Sequence, residues 1–245
     1  VYGGEKLLDW RLARVAVQRL MALWQSERQP APPARLVEHH PLPLRKALPA
    51  LQPLTKTARD RLESLQAVGL TVRHVASGRG IEDVSFALRR GTLTAIVGRI
   101  GSGKTTLLRA LLGLLPLDGG RVRWNGQWVD DLAAFCVPPR VAYVPQVPVL
   151  LSDTLRENIL LGLPHEPERL ARALQCAALE RDVADLAHGL DTLIGVRGMR
   201  LSGGQAQRVA AARMFVREPE LLVVDDLSSA LDVETEQILW QRMLD

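Results

Sequence analysis

The stretch "GRIGSGKTTLL", Gly98–Leu108, constrains the fold more than any other part of the 245-residue chain. It fits the spacing GxxxxGK[ST] with Gly98, Gly103, Lys104 and Thr105, between an apolar run "LTAIVG" at 93–98 and "KTTLLRALLGLL" at 104–115. The pattern predicts a buried strand, a loop and a helix that Pro116 ends. A triphosphate packs several negative charges into a small volume, so its receptor needs backbone N–H groups at close approach. Glycine permits that without a Cβ clash, and the helix N-terminus adds its dipole. Lys104 is then placed for the β and γ phosphates and the Thr105 hydroxyl for Mg²⁺. Gly101, Ser102 and Thr106 complete the expected cradle.

A second apolar run, "LLVVDD" at 221–226, ends on two carboxylates. Asp225, at the end of a buried strand, is the expected second half of a Mg²⁺ site beside the phosphate loop. Beyond about residue 69, short apolar runs alternate with amphipathic stretches, the pattern of an α/β domain. Between the two strands, residues 165–200, with "PERLARALQCAALERDVADLA", read as a helical insert.

The N-terminal part has another texture. "LLDWRLARVAVQRLMALW", 7–24, carries apolar residues at helical spacing without Pro or Gly, and predicts a helix. Seven prolines between Pro30 and Pro53 then forbid a continuous helix or a central strand, so this stretch reads as a linker. His39 and His40 lie in it without partners at ligand spacing and read as exposed linker residues. The net charge of +4 is uneven: residues 1–68 hold eleven Lys or Arg against six Asp or Glu, and residues 69–245 hold twenty against twenty-one. A mildly acidic domain lacks the charge pattern for nucleic acid, while juxtamembrane cytoplasmic segments are enriched in basic residues. Cys136 and Cys176 form no CxxC pair and read as reduced thiols. No run of 18 apolar residues occurs. A first residue that is not Met and an end at Asp245 lead to the expectation of a piece of a longer chain.

"LSGGQAQR", 201–208, is not required by phosphate-loop chemistry alone. With it, the sequence resembles the ATP-binding cassette (ABC) nucleotide-binding domains, whose signature is LSGGQ. The resemblance covers about residues 69–245. It includes Gln146 in "YVPQVPVLLSDTLRENI", similar to the Q-loop, and "SALD", Ser229, Ala230, Leu231 and Asp232, similar to the D-loop. It implies a P-loop NTPase of α/β class with a helical signature subdomain at about 150–215. It also implies ATP and Mg²⁺ as ligands, with Thr105, Gln146 and Asp225 at the metal. Leu201, Ser202, Gly203, Gly204 and Gln205 would cap ATP held by a second such domain, because a helix terminus that binds anions opens there and cannot reach the domain's own loop.

"LSDTLRENILLG" and "GVRGMRLSGGQ" resemble exporters, in which the cassette follows transmembrane helices in one chain. Residues 1–25 would then be the cytosolic end of a membrane-domain helix, 26–68 the linker and 69–245 the cassette, at the cytoplasmic face of the cell membrane. Only 97 residues separate Lys104 from Leu201, which leaves no room for the long coiled coil of chromosome-maintenance relatives. A soluble cassette ATPase of translation or DNA repair is the rival reading, which apolar spans upstream of Val1 would decide.

Four features depart from the family pattern. Asp226 stands where active cassettes usually place the Glu that polarises the attacking water, and one methylene less withdraws the carboxylate unless the local backbone restores the contact. The adenine-stacking aromatic is absent, and His74 is the best-placed substitute, although a surface histidine fits the position as well. Val196 stands where exporters often carry Glu before the signature, and the switch histidine falls beyond Asp245. The resemblance therefore implies either a working ATPase or an ATP-gated dimerisation clamp with negligible turnover of its own. It favours a heterodimer whose partner domain carries the Glu.

Overall fold

The computed structural model describes residues 56–74, 78–195, 199–226 and 232–244. The expected N-terminal helix at 7–24, the proline-rich stretch to Pro53 with His39 and His40, Val196 and the residues Ser229, Ala230 and Leu231 lie outside them. All described residues belong to one compact unit, Pro43–Asp245.

Strand β1 (Ser64–Arg73) alternates in burial, and Leu65, Ala67, Leu70 and Val72 turn inward. That period of two is what a half-buried strand requires. It pairs antiparallel on one side with β2 (Gly80–Arg89) and on the other with β3 (Gly119–Trp124), which turns through Asn125 and Gly126 into β4 (Gln127–Val129). Both turn residues have positive φ, the conformation Asn-Gly supplies in tight hairpins. The sheet order is β2-β1-β3-β4. Helix α1 (Lys104–Leu111) lays Leu107, Ala110 and Leu111 into the same core.

A second core lies around the parallel pair β5 (Val141–Val144) and β6 (Leu221–Val224), joined in register from Val141 with Leu221 to Val144 with Val224. A short helix α2 (Leu132–Phe135), capped by Asp131, precedes β5. Beyond β5 come α3 (Leu155–Leu160), α4 (Pro167–Cys176), α5 (Glu180–Asp185) and α6 (Gly203–Phe215), and α7 (Val233–Leu244) follows β6. Leu155 and Ile159 of α3, Leu170 and Ala173 of α4, and Val209 to Ala212 of α6 are buried together with Val144. Three consecutive alanines, Ala210 to Ala212, keep the α6 surface low where α3 and α4 press on it. Among the described residues no helix is long and apolar enough to cross a membrane.

Two expectations need correction. The run 93–98 joins no ladder, and Leu93 and Val97 are 62% and 88% exposed instead of buried. Apolar composition measures how well a segment suits a pleated surface, whereas a strand also needs a neighbour, and β5 and β6 bond to each other. The helix after the phosphate loop stops at Leu111, before Pro116, because Gly113 adopts φ 69° at its end. Within the expected helical insert at 165–200 lie the two helices α4 and α5, and Ala178, at φ 52°, breaks the run between them.

The cysteines are free. Cys136 is half-buried with its thiol on the Leu111 carbonyl, and burial pushes that thiol up to about 12, which suits an inert residue.

Candidate functional site

The phosphate loop enters α1 through Gly103, whose φ of 93° is left-handed. A Cβ there would stand 2.7 Å from Ile81 Cγ2, so both backbone shape and the β2 contact demand glycine. At Gly98 a Cβ would meet the Ser102 hydroxyl at 2.5 Å. Lys104 folds its ammonium back over the loop, donating to the carbonyls of Gly98 (2.8 Å) and Arg99 (3.1 Å). These bonds hold the cation over the concave side of the loop that carries Gly101 and Ser102.

One residue further, the Thr105 hydroxyl donates to Asp225 Oδ1 at 3.1 Å across 120 positions of sequence. Asp225 lies just past β6, its amide donating to the Val144 carbonyl (2.9 Å), and it is only 6% exposed. Its other oxygen accepts from the Tyr143 hydroxyl at 3.3 Å. Burial pushes the Tyr143 phenol above its ordinary range, against the opposing pull of Arg109, so it stays a donor at neutral pH. Sequence reasoning missed Tyr143; its signal was an inward-facing polar aromatic on the strand three residues before Gln146.

Asp226 follows at φ 59°, a conformation Asp tolerates better than most residues. That turn separates the two carboxylates: Asp225 is directed to Thr105, while Asp226 is exposed and accepts at Oδ2 from Gln146 Nε2 at 3.1 Å. Thr105 and Asp225 thus meet directly, whereas Gln146, expected at the same metal, sits on the neighbouring carboxylate. His74 is exposed, with Nε2 3.2 Å from the Thr106 hydroxyl, which holds the imidazole beside the first turn of α1.

The signature segment lies at the start of α6. The Ser202 hydroxyl accepts from the Gln205 amide (3.2 Å), and Gln205 Oε1 accepts from the Ser202 amide (2.9 Å), a reciprocal cap. Gln205 Nε2 also donates to Asp182 on α5, and Arg208 adds two bonds of 2.8 Å to the same carboxylate. Leu201 is half-buried, and Gly203 and Gly204 form the first turn with no side chain in front of their amides. Asp232 caps α7 by accepting from the Thr235 amide (2.9 Å) and hydroxyl (2.8 Å), which lowers its carboxyl below the usual range.

A phosphate cradle at a helix N-terminus, a strand-end carboxylate on its threonine and a glutamine on the next carboxylate form one constellation. Residues 81–229 match the ABC transporter family. The chain belongs to that family. Among relatives of this ABC domain, P-glycoprotein 14 of Caenorhabditis elegans is 43% identical over 164 residues, covering 66% of the chain and 12% of the relative. The probable multidrug resistance ABC transporter ATP-binding/permease protein YheI of Bacillus subtilis is 38% identical over 157 residues, 64% of the chain and 27% of the relative. The human ABC-type oligopeptide transporter ABCB9 is 38% identical over 188 residues, 75% and 24%. A bacterial Atm1-family ABC exporter solved with ATP bound matches at TM-score 0.67 and 33% identity, over 74% of this chain and 32% of that one. The ABC domain described here thus spans about an eighth to a quarter of the length of these curated relatives. Its fold is the α/β P-loop NTPase fold of nucleotide-binding domains.

Proposed function

We propose that the chain is the nucleotide-binding part of an exporter, and that it binds ATP with Mg²⁺ and turns it over in a closed pair of such domains at the cytoplasmic face of the cell membrane. The observation that carries this reading is the Thr105–Asp225 contact beneath a glycine loop whose lysine already lies over the loop carbonyls.

The residues present suit Mg²⁺. Thr105 and Asp225 offer hard oxygen donors 3.1 Å apart, and no group of three or more His, Cys, Asp or Glu side chains among the described residues forms a protein-only metal cage. That is the donor set Mg²⁺ takes when it shares its coordination with water and substrate phosphates. When bound, the metal neutralises charge that develops on the transferred phosphoryl group.

The remaining steps belong to the chain's own side chains. Lys104 exchanges two carbonyl acceptors for phosphate oxygens. Asp225 holds the Thr105 hydroxyl in place. Asp226 accepts the proton of the attacking water, and Gln146, hydrogen-bonded to it, fixes the direction of that carboxylate. The His74 imidazole flanks the nucleotide base. Ser202, Gly203 and Gly204 present the α6 terminus to ATP on the second domain, with Asp232 and its D-loop neighbours at the seam.

Asp226 in place of Glu favours a second form of the same reading: a slow site paired with a competent one, hence a heterodimer. Residues 1–25 and 26–68 would then carry the connection to transmembrane helices, with the helical subdomain at about 150–215 facing the partner's nucleotide. ATP-dependent uptake into inverted membrane vesicles, by the whole protein that carries this chain and by its Lys104→Ala variant, tests the proposal. Uptake that Lys104→Ala abolishes is the expected result. An intact protein that stays in the soluble fraction and hydrolyses ATP there would overturn the exporter reading in favour of a soluble cassette ATPase.

A further inference from the structure

Gln207 is the fifth residue of α6 and only 2% exposed. Its Nε2 donates to the backbone carbonyl of Gln146 at 2.7 Å, across 61 positions of sequence, and the Gln146 side chain in turn donates to Asp226 at 3.1 Å. The opposite end of the same amide, Oε1, is buried with no hydrogen-bond partner. Reversing the amide would set two acceptors against each other at the Gln146 carbonyl, so the observed orientation is fixed by chemistry. A buried acceptor left unpaired costs about 1–3 kcal/mol, and Val209 and Ala210 nearby on the helix show that this part of α6 packs apolar groups well. A leucine or methionine would fill the place without that cost, so packing alone does not account for the amide.

We infer that Gln207 is a positioning residue for ATP turnover: its buried amide sets the Gln146 backbone so that the Gln146 side chain rests on Asp226. The inference rests on the proposed function for its catalytic part. Gln146 has left β5 and is exposed, and Val147 and Val149 after it are 76% and 70% exposed. The short hydrogen bond from Gln207, on a helix locked into the second core, therefore fixes the Gln146 backbone, while Arg213 of the same helix holds the Val149 carbonyl at 3.0 Å. The same helix begins at Ser202 and Gly203, so a shift of α6 against ATP on a second domain reaches Gln146, and through it Asp226, by two hydrogen bonds.

The test uses the whole protein together with its partner domain, and compares it with Gln207→Leu, Gln146→Ala and the double variant. The backbone order parameters of Gln146 and Val147 without nucleotide, from NMR relaxation, are expected to fall from about 0.85 to below about 0.6 in Gln207→Leu, with those of α6 unchanged. The kcat for ATP should fall about tenfold, less than the roughly 100-fold that a 1 Å misplacement can cost, while the nucleotide Kd stays within about twofold. Adding Gln207→Leu to Gln146→Ala should leave kcat within about twofold, because the path to Asp226 is already cut. Unchanged order parameters at Gln146 and Val147, or losses that multiply in the double variant, would overturn the inference. If Gln207→Leu loosens α6 itself, the nearly isosteric Gln207→Glu, which replaces the N–H by an acceptor, decides by the same comparison. If the native protein turns over no ATP, the proposed function has failed and the order parameters still decide the role of Gln207.

Discussion

Substituting Asp226→Glu tests whether reach limits this site. The carboxylate lies at the end of β6 on a left-handed residue and is met by Gln146 Nε2 at 3.1 Å. One further methylene carries the carboxyl group about 1.3 Å outward, the projection of a C–C bond of roughly 1.5 Å along the side chain. Asp and Glu have nearly equal reference pKa values, so the change alters position and leaves basicity alone. A misplacement of about 1 Å costs around 100-fold in rate, equivalent to about 2.7 kcal/mol of barrier. The longer side chain should therefore raise kcat by about 10- to 100-fold. Lys104, Thr105 and Asp225 are untouched, so nucleotide affinity should move less than about threefold. The assay is ATP turnover by the whole protein in the absence of a partner domain, with Kd measured in parallel by a fluorescent ATP analogue. An increase below about threefold, from a native protein that already turns over, would refute the reach argument and make Asp226 a working base in a homodimer.

Other residues give further predictions. Glu220, with a side chain 6% exposed, accepts from Lys56, from the Leu62 amide and from Arg90. Burial opposes its charge, but those hydrogen bonds outweigh it and hold the carboxyl at about 2. Because its folded pKa is depressed, the stability it contributes is complete above about pH 4.5 and disappears as pH falls toward 2. Urea unfolding across that window should show this slope, and Glu220→Gln should remove most of it at a cost of about 2 kcal/mol at neutral pH. Asp182→Ala leaves Arg208 without its two 2.8 Å bonds and frees Gln205. It should cost about 2 kcal/mol in urea unfolding and slow turnover at the partner's nucleotide. Gly103→Ala places a methyl 2.7 Å from Ile81 at φ 93°. It should weaken ATP binding at least about tenfold in equilibrium titration, a shift of roughly 1.4 kcal/mol that is within reach of the strain of one left-handed residue.

The site was legible in the sequence to the extent that its chemistry is written in contiguous residues. The glycine spacing of 98–105 and the apolar run into Asp225 could be read because a tight anion loop and a buried strand each impose residue types on their neighbours. Tyr143, Asp182, Gln207 and Glu220 could not be read this way. Their partners lie between 23 and 164 positions away, and a polar contact across that separation leaves no period in the sequence. The run at 93–98 shows the opposite failure. Its composition announced a strand, but ladder formation depends on a neighbour supplied by another part of the chain, and the apolar residues alone do not specify that neighbour.

Under the proposed function, the division into two cores would let one substitution separate holding ATP from using it. Lys104 and Thr105 ride on α1, which packs on the antiparallel sheet with Leu65, Leu70 and Val122. Gln146 and the signature helix α6 are anchored in the other core, around Val144, Ile159 and Val209. Asp225 and Asp226 share the end of β6, whose Val223 and Val224 pack on the first and the second core respectively. Adjacent carboxylates therefore serve different bodies: Asp225 faces the threonine of the first, and Asp226 meets the glutamine of the second. Under the proposed function ATP would be retained by the first set whatever the second is doing, while removal of a proton from water would need both in register. If the proposed function holds, a shortened side chain at Asp226 acts on the second requirement alone, so a firm grip on nucleotide and a slow turnover would be compatible in this domain.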